Sequence, residues 1–114
     1  MLDGMFVKPL KLFADERGFF TEIMRIDWKD LLGEDSIAQA NFSITYPGII
    51  RAWHRHKRGQ VDYFLVLKGA LKICAYAEDS GEIDEIISTG SNLQIVKVPG
   101  CLLYTSDAAD EEDS

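Results

Sequence analysis

The sequence predicts an all-β domain, either a sandwich or a barrel. About seven or eight short segments have strand character, glycine-marked turns separate them, and only one stretch has the character of a helical turn. This combination is typical of sandwiches and barrels. A length of 114 residues fits one small domain, and a hydrophobic content of 46% is enough for a packed core.

The elements follow from local chemistry. Asp15–Gly18 predicts a turn, and Asp27–Leu32 predicts one helical turn with Asp27 as its N-cap and Gly33 as its stop. The dipeptide Lys68-Gly69 predicts a hairpin turn within a long apolar stretch. The predicted strands are Phe6–Leu12 (at an edge, because of Pro9), Phe19–Arg25, Ile37–Tyr46, the stretch that begins at Ile49, the two halves of Gln60–Ala77, Ile83–Ser88 and Leu93–Val98.

The predicted strand Ile37–Tyr46 has one polar face. Four polar residues alternate with apolar ones in it: Gln39, Asn41, Ser43 and Thr45. Burying such a face without partners is costly, so it either faces solvent or lines a barrel that binds a polar ligand.

The stretch Ile49–Gln60 contains both histidines of the chain. On an extended strand, His54 and His56 point the same way, and imidazole has an ordinary pKa near neutrality. These two features predict a functional site on this strand. The alternative is a pair of surface histidines in a basic turn.

The net charge of −7 is unevenly distributed. The first 100 residues carry 12 basic and 14 acidic residues, a balance of −2, and the last fourteen carry five acidic and no basic ones, a balance of −5. A nearly neutral body does not favour nucleic-acid binding. No apolar run has the length of a membrane span, and Cys74 and Cys101 have no disulfide-framework spacing, so we expect a cytoplasmic protein without membrane contact.

The last residues interrupt the strand pattern. Cys101–Glu111, CLLYTSDAADE, resembles the reading-frame translation of the transposase adapter used to prepare shotgun sequencing libraries. We therefore expect residues 101–114 to be a non-native acidic tail with no defined place in the core. Residues 1–100 would then be a partial, C-terminally truncated domain.

Three motifs resemble a known family when they are taken together. Phe13-x-Asp-x-Arg-Gly-x-Phe-x-Glu22, Gln39-x-Asn-x-Ser43 and Gly48-Ile-Ile-Arg-Ala-Trp-His54 are similar to the dTDP-4-dehydrorhamnose 3,5-epimerase family. The resemblance implies a cupin jelly roll (a double-stranded β-helix), isomerase activity on a nucleotide-sugar, a homodimer, and no metal or organic cofactor. It implies that His54 is the catalytic base and that the substrate is bound by Arg17, Glu22, Gln39, Asn41 and Arg51.

Three departures from the family and one geometric tension accompany the resemblance. The position two after the histidine is usually glutamine in the family, and here it is His56. Asp62, which we also assign to substrate binding, stands where the family has a lysine near the enolate oxygen. Strict alternation would put Arg51 and His54 on opposite faces, so a β-bulge is expected if both contact substrate. The family's tyrosine acid and the aspartate that orients its base would lie beyond residue 100, so we expect this chain to be inactive.

Three alternative functions stay open. His54, His56 and Asp62 resemble the ligands of metal-binding cupins and would suit iron or manganese, although we expect no bound metal. The stretch His54–Lys57 also resembles a sugar-nucleotide 3,4-ketoisomerase. A non-catalytic sugar-binding cupin would tolerate an acid at position 62.

Overall fold

A computed structural model describes residues 1–54 and 59–108, and this part of the chain confirms the all-β class. No helix within it is long and apolar enough to cross a membrane. Its elements are β1 (Phe6–Pro9), β2 (Phe13–Asp15), β3 (Gly18–Phe20), α1 (Lys29–Leu32), β4 (Ile50–His54), β5 (Asp62–Leu65), β6 (Ala70–Tyr76), β7 (Ile83–Thr89), β8 (Gln94–Val98) and β9 (Leu103–Ala108).

Two antiparallel sheets enclose the core, as in a β-sandwich. Sheet A has the strand order β1-β8-β5, sheet B is the separate β2–β3 hairpin, and sheet C has the order β4-β9-β6-β7. Val7, Val96 and Phe64 are register partners across sheet A. They pack with Ile73 and Ala75 of sheet C, whose side chains are completely buried.

The short helix α1 covers the outer side of sheet A. Leu31 and Leu32 are buried, and the Lys97 amine donates a hydrogen bond of 2.8 Å to the carbonyl of Leu31. The prediction of Asp27 as the N-cap is wrong, because the helix begins after Trp28 without a side-chain cap. The prediction of Gly33 as the stop is confirmed: this glycine has φ 57°, and its N–H donates to the carbonyl of Lys29.

Three predictions about strands are wrong. The strand predicted over Phe19–Arg25 is limited to β3, Gly18–Phe20, and residues 21–25 contain no strand. Ile37–Tyr46 contains no strand, because alternation makes a segment suitable for a sheet but supplies no hydrogen-bonded neighbour. The Lys68-Gly69 turn does not join a hairpin, since β5 pairs with β8 whereas β6 pairs with β7 and β9. Turn residues show where a chain changes direction, but they do not specify which strands pair.

Strand β9 lies in the segment that was expected to stay outside the core. It pairs with β4 on one side and with β6 on the other. Leu102 and Tyr104 are 5% and 7% exposed and belong to the main apolar cluster. The prediction that this segment has no place in the core is therefore wrong for residues 101–108. The non-native origin of residues 101–114 stays a prediction, and residues 109–114 lie outside the described part.

Candidate active site

Strand β4 carries an irregularity between Arg51 and His54. Arg51 pairs with Ser106 and His54 pairs with Tyr104, so three steps along β4 match two along β9. Such an offset is a β-bulge, and it lets two residues three apart share one face of the sheet. Ser106 and Tyr104 lie on the same face of β9 because side chains alternate along a strand. The structure therefore has the bulge that a shared role for Arg51 and His54 requires.

The ring of His54 lies against Tyr104. The two ring centroids are 5.4 Å apart with an angle of 38° between the planes, and Phe64 contacts Tyr104 edge-on at 5.5 Å. The Tyr104 hydroxyl donates a hydrogen bond to the Oδ2 atom of Asp62. His54 and Tyr104 belong to sheet C, whereas Phe64 and Asp62 belong to sheet A. Tyr104, Phe64 and Asp62 therefore meet between the two sheets, and the exposed His54 lies against Tyr104 beside them.

The environment of Tyr104 keeps its hydroxyl protonated. Burial, and then the hydrogen bond and the negative charge of Asp62, raise the pKa of Tyr104 above its ordinary value. The Oδ1 atom of Asp62 accepts a second hydrogen bond, of 2.9 Å, from the side-chain amide of Gln60. Both carboxylate oxygens therefore have donors, and the negative charge of Asp62 is stabilised before any ligand is present.

Arg17 and Glu22 have local partners. The Arg17 guanidinium lies 2.6 Å from the Asp15 carboxylate across the β2–β3 turn, and its side chain is 84% exposed. This hydrogen bond, and then one from the Arg17 backbone N–H, hold the pKa of Asp15 below its ordinary value. Glu22 forms an ion pair of 3.0 Å with Arg25. Within the described ranges, no hydrogen bond or ion pair joins Arg17 or Glu22 to His54.

The amide pair lies on the exposed segment before β4. The Nε2 atom of Gln39 donates to the Oδ1 atom of Asn41 at 3.0 Å. Arg51 reaches the same segment, because its Nη2 atom donates to the carbonyl of Ile44 at 2.8 Å. The structure thus brings His54, Tyr104 and Asp62 together, whereas Arg51 contacts the carbonyl of Ile44 and Gln39 and Asn41 contact each other.

The metal alternative depends on a residue outside the described part. His56 is one of residues 55–58, which the structure does not describe. Among the residues that it does describe, no group of three histidine, cysteine or acidic side chains could hold a metal ion. Asp62, the proposed carboxylate ligand, accepts hydrogen bonds from Tyr104 and Gln60.

Tyr104 was missed as a site residue. Tyr104 lies in the segment that is predicted to be a non-native tail, and that prediction assigns it no role in a site. A signal was present nevertheless, since Leu103-Tyr104-Thr105 combines aromatic and β-branched residues that favour strands. Its pairing with His54 is non-local and could not be deduced from spacing.

Solved structures share this architecture. The chain superimposes with a TM-score of 0.82 on a dTDP-6-deoxy-D-glucose-3,5-epimerase from Legionella pneumophila in complex with dTDP-4-keto-L-rhamnose, at 24% identity. It superimposes with a TM-score of 0.79 on a dTDP-4-dehydrorhamnose 3,5-epimerase from Sulfolobus tokodaii, at 20% identity. The matches cover 96% and 95% of this chain but only 62% and 65% of those chains. The fold is therefore that of the cupin-type epimerases, and the chain spans about three fifths of their length.

Sequence relatives identify the family. The chain is 37% identical over 113 residues to the probable low-salt glycan biosynthesis epimerase Agl13 of Haloferax volcanii, covering 95% of this chain and 71% of that protein. It is 36% identical over 104 residues to the spore coat polysaccharide biosynthesis protein SpsL of Bacillus subtilis, covering 87% of this chain and 66% of that protein. A family model described as "Polysaccharide biosynthesis C-terminal domain" matches residues 13–112. The chain belongs to this family, which includes an epimerase homologue, and its fold is that of the dTDP-4-dehydrorhamnose 3,5-epimerases that its motifs resemble.

Proposed function

We propose that the protein is a nucleotide-sugar 3,5-epimerase acting on a dTDP-4-keto-6-deoxy sugar. The observation that carries the proposal is the β4 bulge, because such an offset lets Arg51 and His54 share one face of the strand, as a common role at one substrate requires. In this mechanism, neutral His54 removes a proton from a carbon next to the ketone, and an enolate forms. Return of a proton to the opposite face inverts that carbon.

The substrate-binding residues would supply complementary charge and hydrogen bonds. The guanidinium groups of Arg17 and Arg51 suit the two phosphates, because each presents paired N–H donors to phosphate oxygens. Glu22, Gln39 and Asn41 offer acceptors and donors for sugar and base. The relative from Legionella pneumophila was solved with a dTDP-sugar, which supports the choice of ligand class. A cytoplasmic location is part of the same proposal.

Solvent deuterium uptake tests the role of His54. We expect the full-length gene product, mixed with a dTDP-4-keto-6-deoxy sugar in D₂O, to introduce deuterium at carbons 3 and 5. His54→Asn should slow that uptake by about 100- to 10,000-fold, because a general base is lost, while nucleotide-sugar binding persists. Mass spectrometry of the recovered sugar measures the exchange. Uptake at the parental rate in His54→Asn would place the base elsewhere, with His56→Asn as the next variant.

The products of the same assay separate the alternatives. An epimerase leaves the ketone at carbon 4, whereas a ketoisomerase moves it to carbon 3, and NMR of the product distinguishes the two. Binding without exchange in the full-length product would support a non-catalytic sugar-binding protein. One retained equivalent of iron or manganese that is lost in His56→Ala would support the metal-binding alternative.

We also propose that two copies of the chain associate. Large apolar side chains are exposed on the β2–β3 hairpin and in the segment before β4, and such surfaces are typical of interfaces. Phe19 and Phe20 are 62% and 64% exposed, and Phe42 and Ile44 are 77% and 68% exposed. Sedimentation equilibrium should give twice the monomer mass of 12.8 kDa, and Phe19→Ser combined with Phe42→Ser should give the monomer. A monomeric parent chain would contradict this proposal.

A further inference from the structure

A carboxylate just after α1 is bound by two side chains of sheet A. The Tyr63 hydroxyl donates a hydrogen bond of 2.6 Å to the Oδ2 atom of Asp35, and the Lys97 amine lies 3.6 Å from the same oxygen. Tyr63 and Lys97 are register partners on β5 and β8, so their side chains share one face of sheet A. It is the outer face, which α1 covers. We call Asp35, Tyr63 and Lys97 the Asp35 clasp.

The clasp is held by charged and protonated groups. Burial, and then the hydrogen bond and the negative charge of Asp35, raise the pKa of Tyr63 above its ordinary value, so its hydroxyl stays a donor at neutral pH. The Lys97 amine also donates to the carbonyl of Leu31 and lies 5.7 Å from the centre of the Tyr63 ring. Hydrogen bonds to a charged group are stronger than neutral ones, so Asp35 is a fixed point of the chain.

The segment that follows Asp35 has few other attachments. Residues 36–43 are exposed throughout, and within the described ranges no backbone–backbone hydrogen bond joins them to a strand. Beyond them, Arg51 of β4 donates its hydrogen bond of 2.8 Å to the carbonyl of Ile44. Residues 36–43 therefore form a strap that runs from sheet A towards sheet C, and Gln39 and Asn41 lie midway along it.

We propose that Tyr63 is a positioning residue that acts through Asp35 on the strap. By fixing the start of the strap, the Tyr63 hydroxyl limits where Gln39 and Asn41 can lie, and both are proposed to bind the substrate. Tyr63 itself does not contact the sugar, because alternation along β5 puts it on the face opposite to Asp62. The inference rests on the proposed function only insofar as the amide pair binds the nucleotide-sugar, since the Asp35 clasp exists without substrate.

Kinetics of the full-length product test the role in binding. Tyr63→Phe removes one hydroxyl and keeps the ring. We expect it to raise KM for deuterium uptake about tenfold at unchanged kcat, because it weakens binding of the ground state and the transition state alike. In a background with Gln39→Ala and Asn41→Ala, the same change should alter KM by less than about twofold, since its effect passes through the missing amides. A merely structural role would give the same change in both backgrounds.

The ion pair in the first turn of α1 provides the matched control. The Lys8 amine of β1 lies 2.7 Å from the Asp30 carboxylate, so this contact also holds α1 on sheet A. Asp30→Ala removes it but leaves the Asp35 clasp intact. It should leave KM unchanged, which separates an effect on the strap from loosening of the helix.

The 114-residue chain allows a test without substrate. Nitrogen-15 relaxation gives backbone order parameters, which are about 0.85 for rigid and below about 0.6 for flexible backbone. We expect Tyr63→Phe and Asp35→Ala to lower the order parameters of the strap below about 0.6, and Asp30→Ala to leave them at the parental values. Parental values that are already so low, or values that neither clasp variant changes, would overturn the proposal. If Tyr63→Phe fails to fold, Asp35→Ala decides.

The two experiments separate this inference from the proposed function. If the full-length product exchanges no deuterium, the epimerase proposal fails, and calorimetric affinity for the dTDP-4-keto-6-deoxy sugar replaces KM in the same comparison. Parental affinity in the variant that lacks both amides would overturn the positioning role, because the strap would then hold no substrate-binding group. A fall in kcat at unchanged KM in Tyr63→Phe would overturn it as well.

Discussion

At the scale of single residues, Arg17 already has a carboxylate partner before any ligand binds. We expect Arg17→Ala to weaken dTDP binding about tenfold or more, because a hydrogen bond to a charged group contributes about 1.5–3 kcal/mol. Calorimetric titration of the full-length product with dTDP measures this, and the rate of deuterium uptake at saturation should be unaffected. Arg17→Lys keeps the charge but not the paired donors, so it should bind with intermediate affinity.

The pKa of Asp15, the partner of Arg17, provides a second measurement on the Arg17→Ala variant. Since the Arg17 side chain lowers the pKa of Asp15, Arg17→Ala should raise that pKa towards its ordinary value. Carboxyl NMR titration of Asp15 follows the change directly. Unaltered dTDP affinity together with a raised Asp15 pKa would mean that Arg17 serves only the hairpin turn.

Residue-level prediction succeeded where the constraint was local. A bulge between Arg51 and His54 could be predicted, because strict alternation along the strand would put the two side chains on opposite faces. The register between β4 and β9 contains this bulge. The partners of Asp62 could not be predicted. Tyr104 is 42 residues away along the chain, and only the packing of the two sheets brings the two together.

At the scale of elements, α1 depends on its contacts with sheet A. Four residues are too few for a helix to be stable alone in water, so its stability comes from burying Leu31, which has no exposed surface. We expect Leu31→Ala to lower the free energy of unfolding by about 2–5 kcal/mol. Lys29→Ala, on the exposed side, should change it by about 0.5 kcal/mol or less. Urea denaturation of both variants measures the difference, and equal effects would refute this account of the helix.

Strand existence was easier to predict than strand pairing. The segments around Phe6, Ile83 and Leu93 were assigned as strands and are strands, because apolar alternation and turn residues are local signals. Pairing depends on contacts between distant segments. This is why β5 and β6, consecutive in the chain, belong to different sheets, and why the alternating segment Ile37–Tyr46 has no strand partner among the described residues.

At the scale of the whole molecule, β9 completes both the sheet and the site. It is the only described neighbour of β4, and it carries the tyrosine that contacts His54. In the 114-residue chain, the backbone amides of Leu103–Ala108 that donate hydrogen bonds to β4 and β6 should therefore be protected from hydrogen exchange. Exchange at the rate of an unfolded segment would contradict the central position of this strand.

Truncation tests the dependence of the domain on β9. A chain that ends at Gly100 loses Leu102 and Tyr104 from the core and leaves β4 without its neighbour in the described structure. Burying one large apolar side chain contributes about 1.5–3 kcal/mol, and small domains have only about 5–15 kcal/mol of stability in total. We therefore expect this truncated chain to show no cooperative thermal transition by circular dichroism and to aggregate through its exposed sheet edges. A chain that ends at Ala108 keeps β9 and should unfold like the parent, and cooperative unfolding of the Gly100 chain would show that residues 1–100 fold without this strand.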